Sequence, residues 1–313
     1  MNPHRSMKSP WNGCPKTNRE KRTIHNRTKQ IRLYTALILS LSISCLLLPQ
    51  DLARAAPPGN LSDWVMTFND EFDGTSLDLS KWATTYPGGG RTNNDELEWY
   101  VDNAQVVSNG TLKLVAKHET AHSGFPYTSG MISSHNSFSQ MYGYFEIRMK
   151  IPAGKGFWPA FWLLPSPFTW PPEIDVMENL GHDTRTIYMT HHYTGNYPNT
   201  GGGKGGQHGG SYTGPDYSAD FHTYGVEWNS TGIVWYLDGV ERYRSTEHVP
   251  LAGHGFTGMF VIANLAVGGS WPGAPDSSTV FPNQLEIDYI RIYSKRTSTD
   301  TTRPAAPNHL RLR

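Results

Sequence analysis

Three carboxylates lie within six residues of the stretch WPPEIDVMEN, at Glu173, Asp175 and Glu178. The residues around them are apolar and strand-like, although strands are normally depleted in Asp and Glu. Two carboxyl groups on one surface can cleave a sugar linkage, one attacking the anomeric carbon while the other protonates the leaving oxygen. The same acids could instead form a solvated strand face or bind a hard cation.

The spacing of the three acids predicts a bulge in the strand that carries them. Side chains alternate along a strand, so Glu173 and Asp175 share one face. Strict alternation would turn Glu178 into the core, where an ionised carboxylate is costly. One extra residue at Val176–Met177 returns Glu178 to the face of the other two acids. Close like charges then push pKa values apart, which separates a proton donor from a nucleophile.

Alternating apolar and polar residues recur along the chain and predict strands rather than helices. The dipeptide Asp238-Gly239 is a strong hairpin signal that divides Ile233–Arg244 into two strands. The pattern predicts an all-β fold, a jelly-roll sandwich of two antiparallel sheets. The other predicted strands are Gly110–His118, Gly143–Ile151, His222–Trp228, Gly258–Gly269 and Leu285–Tyr293.

One glycine-rich segment, Thr194–Phe221, interrupts the strand pattern and is predicted to be a long loop. It has too few apolar residues to pack a core of its own. Loops of this length are usually functional or disordered. The segment is therefore either a surface excursion or the rim of a binding cleft.

The first 55 residues are typical of a secretory signal peptide. Residues 1–32 contain nine Lys or Arg and one acid, and the apolar run Leu33–Pro49 and the small residues Ala53 and Ala55 follow. Cleavage near Ala55 predicts a secreted protein, extracellular or periplasmic, with no membrane contact after processing. A retained anchor is the alternative, but about 17 apolar residues are few for a membrane span.

The rest of the chain divides into a domain, residues 56–294, and a basic tail, residues 295–313, which is predicted to be disordered. The domain has 12 Lys or Arg against 24 Asp or Glu, a net charge of −12. This charge disfavours nucleic acid and heavily sulfated polysaccharides, and favours a neutral polysaccharide as the partner. Because Cys14 and Cys45 both precede the domain, it must be stable without a disulfide. We expect a monomer.

Several sequence blocks, in order, resemble glycoside hydrolase family sixteen, in its bacterial laminarinase-like group. EIDVME resembles the active-site signature E-x-D-x-x-E of that family in its bulged form. The resemblance spans about residues 64–294 and implies a β-jelly roll with a concave substrate cleft, a retaining mechanism and a β-glucan substrate. By position, it implies Glu173 as the nucleophile, Glu178 as the acid/base and Asp175 as an assisting acid. The other matching blocks are FNDEFDGTSLDLSKW, NNDELEWY, GFWPAFWLLP, ANLAVGGSWPG and LEIDYIRIY.

Aromatic side chains are candidates for sugar binding, because sugars present apolar C–H faces that stack on rings. By family position, Trp158, Trp162 and Trp271 line the cleft, although core packing is the alternative for any single Trp of a sandwich. The tryptophans that we predict to be core residues are Trp64, Trp82, Trp228 and Trp235.

Polar candidates for contacts with sugar hydroxyls are Asn94, Arg148 and His192. Arg148 could instead pair structurally with Glu146 or with an acid of the cleft. Strand alternation sends His191 and His192 to opposite faces, so only one of them reaches the substrate, and we predict that it is His192.

The resemblance also implies that a structural calcium ion could bind away from the cleft. The matching positions are Glu71, the carbonyl of Gly110 and Asp288, whose oxygen atoms suit calcium. Asp288 could alternatively be an ordinary outward strand residue. No cofactor is expected for catalysis.

Together these features predict a secreted, endo-acting, retaining hydrolase of β-1,3-glucan of the laminarin type, or of mixed-linkage β-1,3/1,4-glucan. The alternatives within the family are hydrolysis of a galactan such as agarose, or of a bacterial exopolysaccharide. A transglycosylase is disfavoured because the signature is bulged. A non-catalytic glucan-binding protein is disfavoured because Glu173 and Glu178 are both present.

Overall fold

The computed structural model describes residues 56–194 and 205–297 of the chain. Within these ranges sixteen β-strands form nearly all of the regular structure. Two one-turn 3₁₀ helices, Leu61–Asp63 and Pro87–Gly89, accompany them. The predicted all-β architecture is confirmed. The predicted signal peptide, residues 1–55, lies outside the described residues, as do residues 195–204 and 298–313.

The strands, in chain order, are β1 (Trp64–Asp70), β2 (Glu98–Tyr100), β3 (Gln105–Ser108), β4 (Thr111–Ala116), β5 (Tyr127–Ser129), β6 (Met131–Ser133), β7 (Gly143–Lys150), β8 (Phe157–Ser166), β9 (Glu173–Asn179), β10 (Thr186–Tyr193), β11 (Gly206–Thr213), β12 (His222–Asn229), β13 (Gly232–Leu237), β14 (Val240–Ser245), β15 (Gly258–Val267) and β16 (Asn283–Lys295).

Two large sheets contain most of these strands. The six-stranded sheet has the order β11-β10-β9-β8-β15-β6, and the eight-stranded sheet has the order β14-β13-β12-β7-β16-β4-β3, with β1 also paired to β16. Every strand pair in both sheets is antiparallel, as predicted. A small parallel pair, β2 with β5, was not anticipated by the sequence pattern.

The hydrophobic core lies between the two large sheets. Phe145, Ile147 and Met149 of β7 belong to the same fully buried cluster as Phe161 and Leu163 of β8. Because side chains alternate, the intervening residues of each strand lie on the outer face of its sheet. The four tryptophans predicted for the core, Trp64, Trp82, Trp228 and Trp235, are all buried.

Strand β9 contains the predicted bulge. Opposite β10, Val176 and Met177 together face the single residue Met189, and the pairing register changes there. A register change also occurs in the same part of β9 where it pairs with β8. The extra residue lets both Val176 and Met177 pack in the core, while Glu178 returns to the face of Glu173.

An indole group of the opposite sheet stabilises the bulge. Trp235 of β13 donates a hydrogen bond of 2.8 Å from Nε1 to the main-chain carbonyl of Asp175, the residue before the bulge. Trp235 is fully buried. A buried carbonyl left without a donor costs about 1–3 kcal/mol. The hydrogen bond therefore favours the bulged backbone and ties the two sheets together at this point.

The predicted hairpin between β13 and β14 is confirmed. Asp238 and Gly239 form its two-residue turn, with φ of 51° and 72°. Positive φ at both central positions is the condition for a type I′ turn, whose twist matches that of the flanking strands.

The prediction that Thr194–Phe221 is one long loop is wrong. Part of it, Gly206–Thr213, forms the edge strand β11, which pairs with the full length of β10. A Cβ atom at Gly210 would lie 2.7 Å from the ring of Tyr243, and one at Gly209 would lie 2.8 Å from a main-chain oxygen of β10. The glycines of this strand thus allow close packing, whereas the sequence pattern suggested flexibility.

The last strand runs slightly past the predicted domain boundary at residue 294. Strand β16 ends at Lys295, which pairs with Trp64 of β1, and the next amide, of Arg296, donates to the carbonyl of Asp63. No helix in the described ranges has the length and apolarity needed to cross a lipid bilayer.

Candidate active site

The outer face of the six-stranded sheet forms a cleft with a volume of about 780 Å³. Alternate residues of β8, β9 and β10 form its floor, on the side opposite the core. Residues 86–96 and the turn after β15 contribute its walls. The floor residues include Trp158, Ala160, Trp162, Leu164, Glu173, Asp175, Glu178, Thr190 and His192.

All three acids of the triplet line this cleft, and nearby N–H groups hold the two outer ones. The indole Nε1 of Trp170 donates to Glu173 Oε2 at 3.0 Å. The indole Nε1 of Trp158 donates to Glu178 Oε1, also at 3.0 Å. A hydrogen bond between a neutral N–H and a carboxylate stabilises the charged form. Each carboxyl group is therefore oriented by its own tryptophan.

The middle acid and a histidine connect the site. Nε2 of His192 lies 3.2 Å from Asp175 Oδ2 and 3.5 Å from Glu173 Oε1. Asp175 is almost fully buried, with 4% of its surface exposed. Glu173, Asp175 and His192 each offer an atom within 4.8 Å of the others, so the group could also hold a cation.

Burial raises the pKa of all three carboxyl groups. The pKa of Glu178 rises to about 7, first because of desolvation and then because of the charge of Glu173. Desolvation and the charge of Asp175 also raise the pKa of Glu173, while His192 and Trp170 oppose the increase. Asp175 has a raised pKa through desolvation and the charge of Glu178. The site therefore retains protons near neutral pH.

Two of the three predicted sugar-binding tryptophans present surface to the cleft. Trp158 is half-buried, and its ring meets the exposed ring of Trp271 edge-on, with centroids 5.6 Å apart. Trp162 also lines the cleft but is only 8% exposed, and its Nε1 donates to Asn264 Oδ1 at 2.8 Å. Trp162 thus packs into the cleft floor more than it projects from it.

Asn94 and His192 lie in the cleft, as predicted. Asn94 has a φ of 49°, a left-handed conformation that Asn tolerates better than most residues. His192 is on the cleft face of β10, and His191 is fully buried on the opposite face. Burial lowers the pKa of His191 to about 4, so this imidazole is neutral at neutral pH.

The structure does not bring Arg148 into the cleft. Arg148 belongs to β7 of the eight-stranded sheet, and it alternates with the core residues Ile147 and Met149. Its Nη1 donates to Asp288 Oδ2 at 2.7 Å, and its guanidinium lies over the ring of Phe221. Arg148 is thus in a structural ion pair, but its partner is Asp288 rather than Glu146 or an acid of the cleft.

The predicted calcium ligands do not fit a calcium site in this arrangement. The carboxylate of Glu71 accepts two hydrogen bonds from Arg291, of 2.8 and 2.7 Å, and Asp288 is paired with Arg148. Gly110 lies in the turn between β3 and β4. Because each acid already has an arginine as counter-ion, the excess negative charge that attracts calcium is missing.

Several cleft residues were not identified from the sequence. Asn264 is the one polar side chain within the buried strand GMFVIANLAV, and that contrast is a signal that could have identified it. It donates from Nδ2 to the hydroxyl of Tyr100 at 3.0 Å while accepting from Trp162. The other missed lining residues include Tyr86, Glu96, Phe168, Trp170 and Gln207.

Glu96 adds a fourth acid to the cleft wall. It is 6% exposed and neighbours the fully buried Glu98, whose Oε2 accepts a hydrogen bond of 2.7 Å from the amide of Val267. Desolvation, followed by the charge of Glu98, raises the pKa of Glu96. Among the described residues, neither lysine nor arginine lines this cleft, so it offers no fixed positive charge to a bound polymer.

Comparison with protein families relates this cleft to a known group. The model for "Glycosyl hydrolases family 16" matches residues 92–291, which include the whole triplet. A second model, for "Beta-glucan synthesis-associated protein SKN1/KRE6/Sbg1", matches residues 16–167. That second match ends before the triplet, so it does not bear on strand β9.

Individual proteins give the same relationship. The endo-1,3-1,4-beta-glycanase EglC of Rhizobium meliloti is 37% identical over 254 residues, which cover 73% of this chain and 51% of EglC. A beta-glucanase of Rhodothermus marinus is 36% identical over 292 residues, which cover 85% of this chain and 96% of that protein. The chain thus spans about half the length of the first relative and nearly all of the second.

A solved structure has the same fold. The laminarinase catalytic domain from Thermotoga maritima aligns with a TM-score of 0.65 and 36% sequence identity, over 75% of this chain and all of that domain. The sequence signature, the cleft built on it and these relatives agree. The chain belongs to glycosyl hydrolases family 16.

Proposed function

We propose that this chain is an endo-acting, retaining hydrolase of neutral β-glucans that contain β-1,3 linkages, of the laminarin or mixed β-1,3/1,4 type. The observation that carries the proposal is the bulged strand β9, which presents Glu173, Asp175 and Glu178 together on the floor of one cleft. Two carboxyl groups on one face supply both of the roles that double displacement at a sugar requires.

Glu173 acts as the nucleophile in this proposal. The nearby His192 imidazole and the indole N–H of Trp170 favour its charged form. Its carboxylate attacks the anomeric carbon as the bond from that carbon to the glycosidic oxygen breaks, which leaves a sugar bound covalently to Glu173. Water then attacks the same carbon and releases the carboxylate, so the configuration is inverted twice and retained overall.

Glu178 acts as the general acid and then as the general base. With a pKa of about 7 it carries a proton near neutral pH, which it gives to the departing glycosidic oxygen. In the second step the resulting carboxylate takes a proton from the attacking water. Asp175 is buried within 4.8 Å of Glu173 and has a raised pKa, so it can hold a proton next to the nucleophile.

The cleft suits a neutral glucan better than an anionic polymer. Trp158 and Trp271 offer ring surface for stacking against sugar faces. The cleft acids and the lack of a lining lysine or arginine in the described part disfavour sulfated chains. The relatives named as glucanases and laminarinases support the same choice. Agarose and bacterial exopolysaccharides are the alternative substrates to be tested.

Three further predictions accompany this function. We propose secretion, on the basis of the basic and apolar composition of residues 1–55. We also propose that the protein acts as a monomer. The reaction needs no cofactor, and we do not include calcium, because Arg291 and Arg148 occupy the acids that were predicted to bind it.

The substrate proposal predicts which polymer is degraded. We expect fast release of reducing sugar from laminarin, linear β-1,3-glucan or mixed-linkage glucan, and slow release from agarose. Release should be measured side by side at equal polymer mass, with gel filtration to show the mid-chain cuts of an endo-acting enzyme. Activity on agarose with none on the three glucans would contradict the substrate but not the catalytic pair.

The assigned roles predict different defects for the two glutamates. One test substrate is a β-1,3-linked glucose disaccharide with dinitrophenol as its β-linked leaving group. With this substrate, Glu178→Gln should release a burst of about one dinitrophenol per enzyme and then stall, because the covalent intermediate forms but no base activates water to hydrolyse it. On laminarin, its kcat should fall about 10²–10⁴-fold. Glu173→Gln should lose on the order of 10⁴-fold or more on both substrates, without a burst.

The matched control for these variants is Glu119→Gln, which makes the same change at an exposed glutamate outside the cleft. It should have wild-type rates on both substrates. A burst from Glu173→Gln would reverse the assigned roles. Near-native turnover of laminarin by Glu178→Gln would show that Glu178 is not the acid/base.

The pKa of Glu178 predicts the alkaline side of the pH profile. Because the acid must carry its proton, kcat/KM should fall as the pH rises through about 7. The indole of Trp158 lowers this pKa, so Trp158→Phe should raise it and move the alkaline limb to higher pH. Trp99→Phe, outside the cleft, should leave the limb in place. If the alkaline limb of the kcat/KM profile of Trp158→Phe stays at the wild-type pH or moves to lower pH, Glu178 is not the titrating acid.

A further inference from the structure

A second cluster of titratable side chains lies outside the cleft, on the opposite face of the six-stranded sheet. His208 belongs to the edge strand β11, directly across from His191 of β10. Glu247 and His248 belong to the connection between β14 and β15. Nε2 of His208 lies 3.1 Å from Glu247 Oε2. One donor atom of each of His208, Glu247 and His248 lies within 4.8 Å of the others.

The surrounding side chains hold this cluster in place. The ring of Tyr193 stacks on His248 with centroids 4.0 Å apart and planes 8° apart, and it also faces His208 at 5.3 Å. His191 donates from Nε2 to the main-chain carbonyl of Glu247 at 3.0 Å. Such second-layer contacts fix ring orientation and main-chain position around a metal site.

His248 has two features that its present contacts leave unexplained. Its Nδ1 atom is buried and has no hydrogen-bond partner among the described residues. Its backbone has a φ of 52°, a left-handed conformation that is uncommon outside glycine. A buried polar atom is normally satisfied by protein, water or an ion. A bound cation would therefore supply the partner that this nitrogen lacks.

We propose that His208, Glu247 and His248 bind one divalent transition-metal ion of the zinc type. Two imidazole nitrogens and one carboxylate oxygen suit zinc, nickel or cobalt, whereas calcium and magnesium prefer oxygen ligands alone. Three protein ligands leave a fourth position for water. Donor atoms within 4.8 Å of one another can converge by side-chain movement on a central ion, to the distances of about 2.0–2.2 Å that zinc requires.

The bound ion would join the edge strand β11 to the connection between β14 and β15. This matters for the cleft because Gln207, the neighbour of His208, lines it on the other face of the same strand. The metal would thus fix the outermost strand of the six-stranded sheet against the body of the domain. The site stands apart from the catalytic carboxylates and is independent of the proposed reaction.

The test is a calorimetric titration of the full chain, purified without a polyhistidine tag, with zinc chloride. We expect His208→Ala and Glu247→Gln to lose one binding site, or to weaken it at least tenfold, relative to wild type. Glu247 has an exposed side chain, so its replacement does not threaten folding. Other possible zinc ligands, such as Cys14 and Cys45, are present in wild type and in every variant. Their contribution to zinc binding therefore cancels when a variant is compared with wild type.

Two control variants locate the ion. His182→Ala removes an exposed histidine elsewhere and should bind like wild type. His192→Ala removes the histidine of the cleft, where Glu173 and Asp175 could also attract a cation, and it should keep the proposed site. Loss of zinc in His192→Ala but not in His208→Ala would place the ion in the cleft and overturn the proposal.

Thermal unfolding supplies a second readout. Zinc that binds only the folded state raises Tm, and raises it more the tighter it binds. Tm should therefore rise in wild type and His182→Ala and rise less in His208→Ala. Equal binding and equal Tm shifts in wild type, His208→Ala and Glu247→Gln would also overturn the proposal. No substrate enters these measurements, so they can fail without affecting the proposed hydrolase.

Discussion

A single extra residue in strand β9 decides where the third carboxylate of the triplet points. Without it, Glu178 would enter the apolar core, at an electrostatic cost that the fold could not sustain. With it, Val176 and Met177 both pack inward, and Glu178 joins Glu173 on the cleft floor. The indole of Trp235, from the opposite sheet, satisfies the carbonyl next to the bulge. The packing of the core and the geometry of the site therefore depend on the same bulge.

The tryptophans of the cleft combine two physical roles. Trp158 and Trp170 donate hydrogen bonds to Glu178 and Glu173, which moderates the effect of burial on the pKa of each acid. Their rings also lie along the surface that a sugar would occupy. Because neutral N–H donors perform this task, the cleft orients two carboxylates without a lining lysine or arginine in the described ranges. An uncharged polysaccharide matches such a surface.

Local alternation was sufficient to predict the features that depend on one strand or one turn. The bulge at Val176–Met177 and the opposite orientations of His191 and His192 follow from the two-residue period of a strand. The hairpin at Asp238-Gly239 follows from the turn preference of that dipeptide. The resemblance to the family added the order of the matching sequence blocks. Together they were enough to predict that the strand with the three carboxylates faces a cleft.

Features that depend on contacts between distant strands could not be predicted in this way. The glycines of β11 suggested a loop. Their structural reason, close packing of Gly210 against the ring of Tyr243, could not be predicted because Tyr243 is distant in sequence. Arg148 was a reasonable cleft candidate until its strand was placed in the other sheet, where Asp288 neutralises it. Trp170 is only three residues from Glu173, but it precedes β9, so strand alternation gave no orientation for its indole.

The stereochemistry of cleavage tests the central claim, that Glu173 and Glu178 act as a nucleophile and an acid/base pair on one face of the bulged strand. Proton NMR can follow the anomeric signal of the product first released from laminarin, before it mutarotates. Double displacement predicts that the β-anomer appears first and the α-anomer follows slowly. If the α-anomer appeared first, water would be attacking directly, and a covalent role for Glu173 would be contradicted.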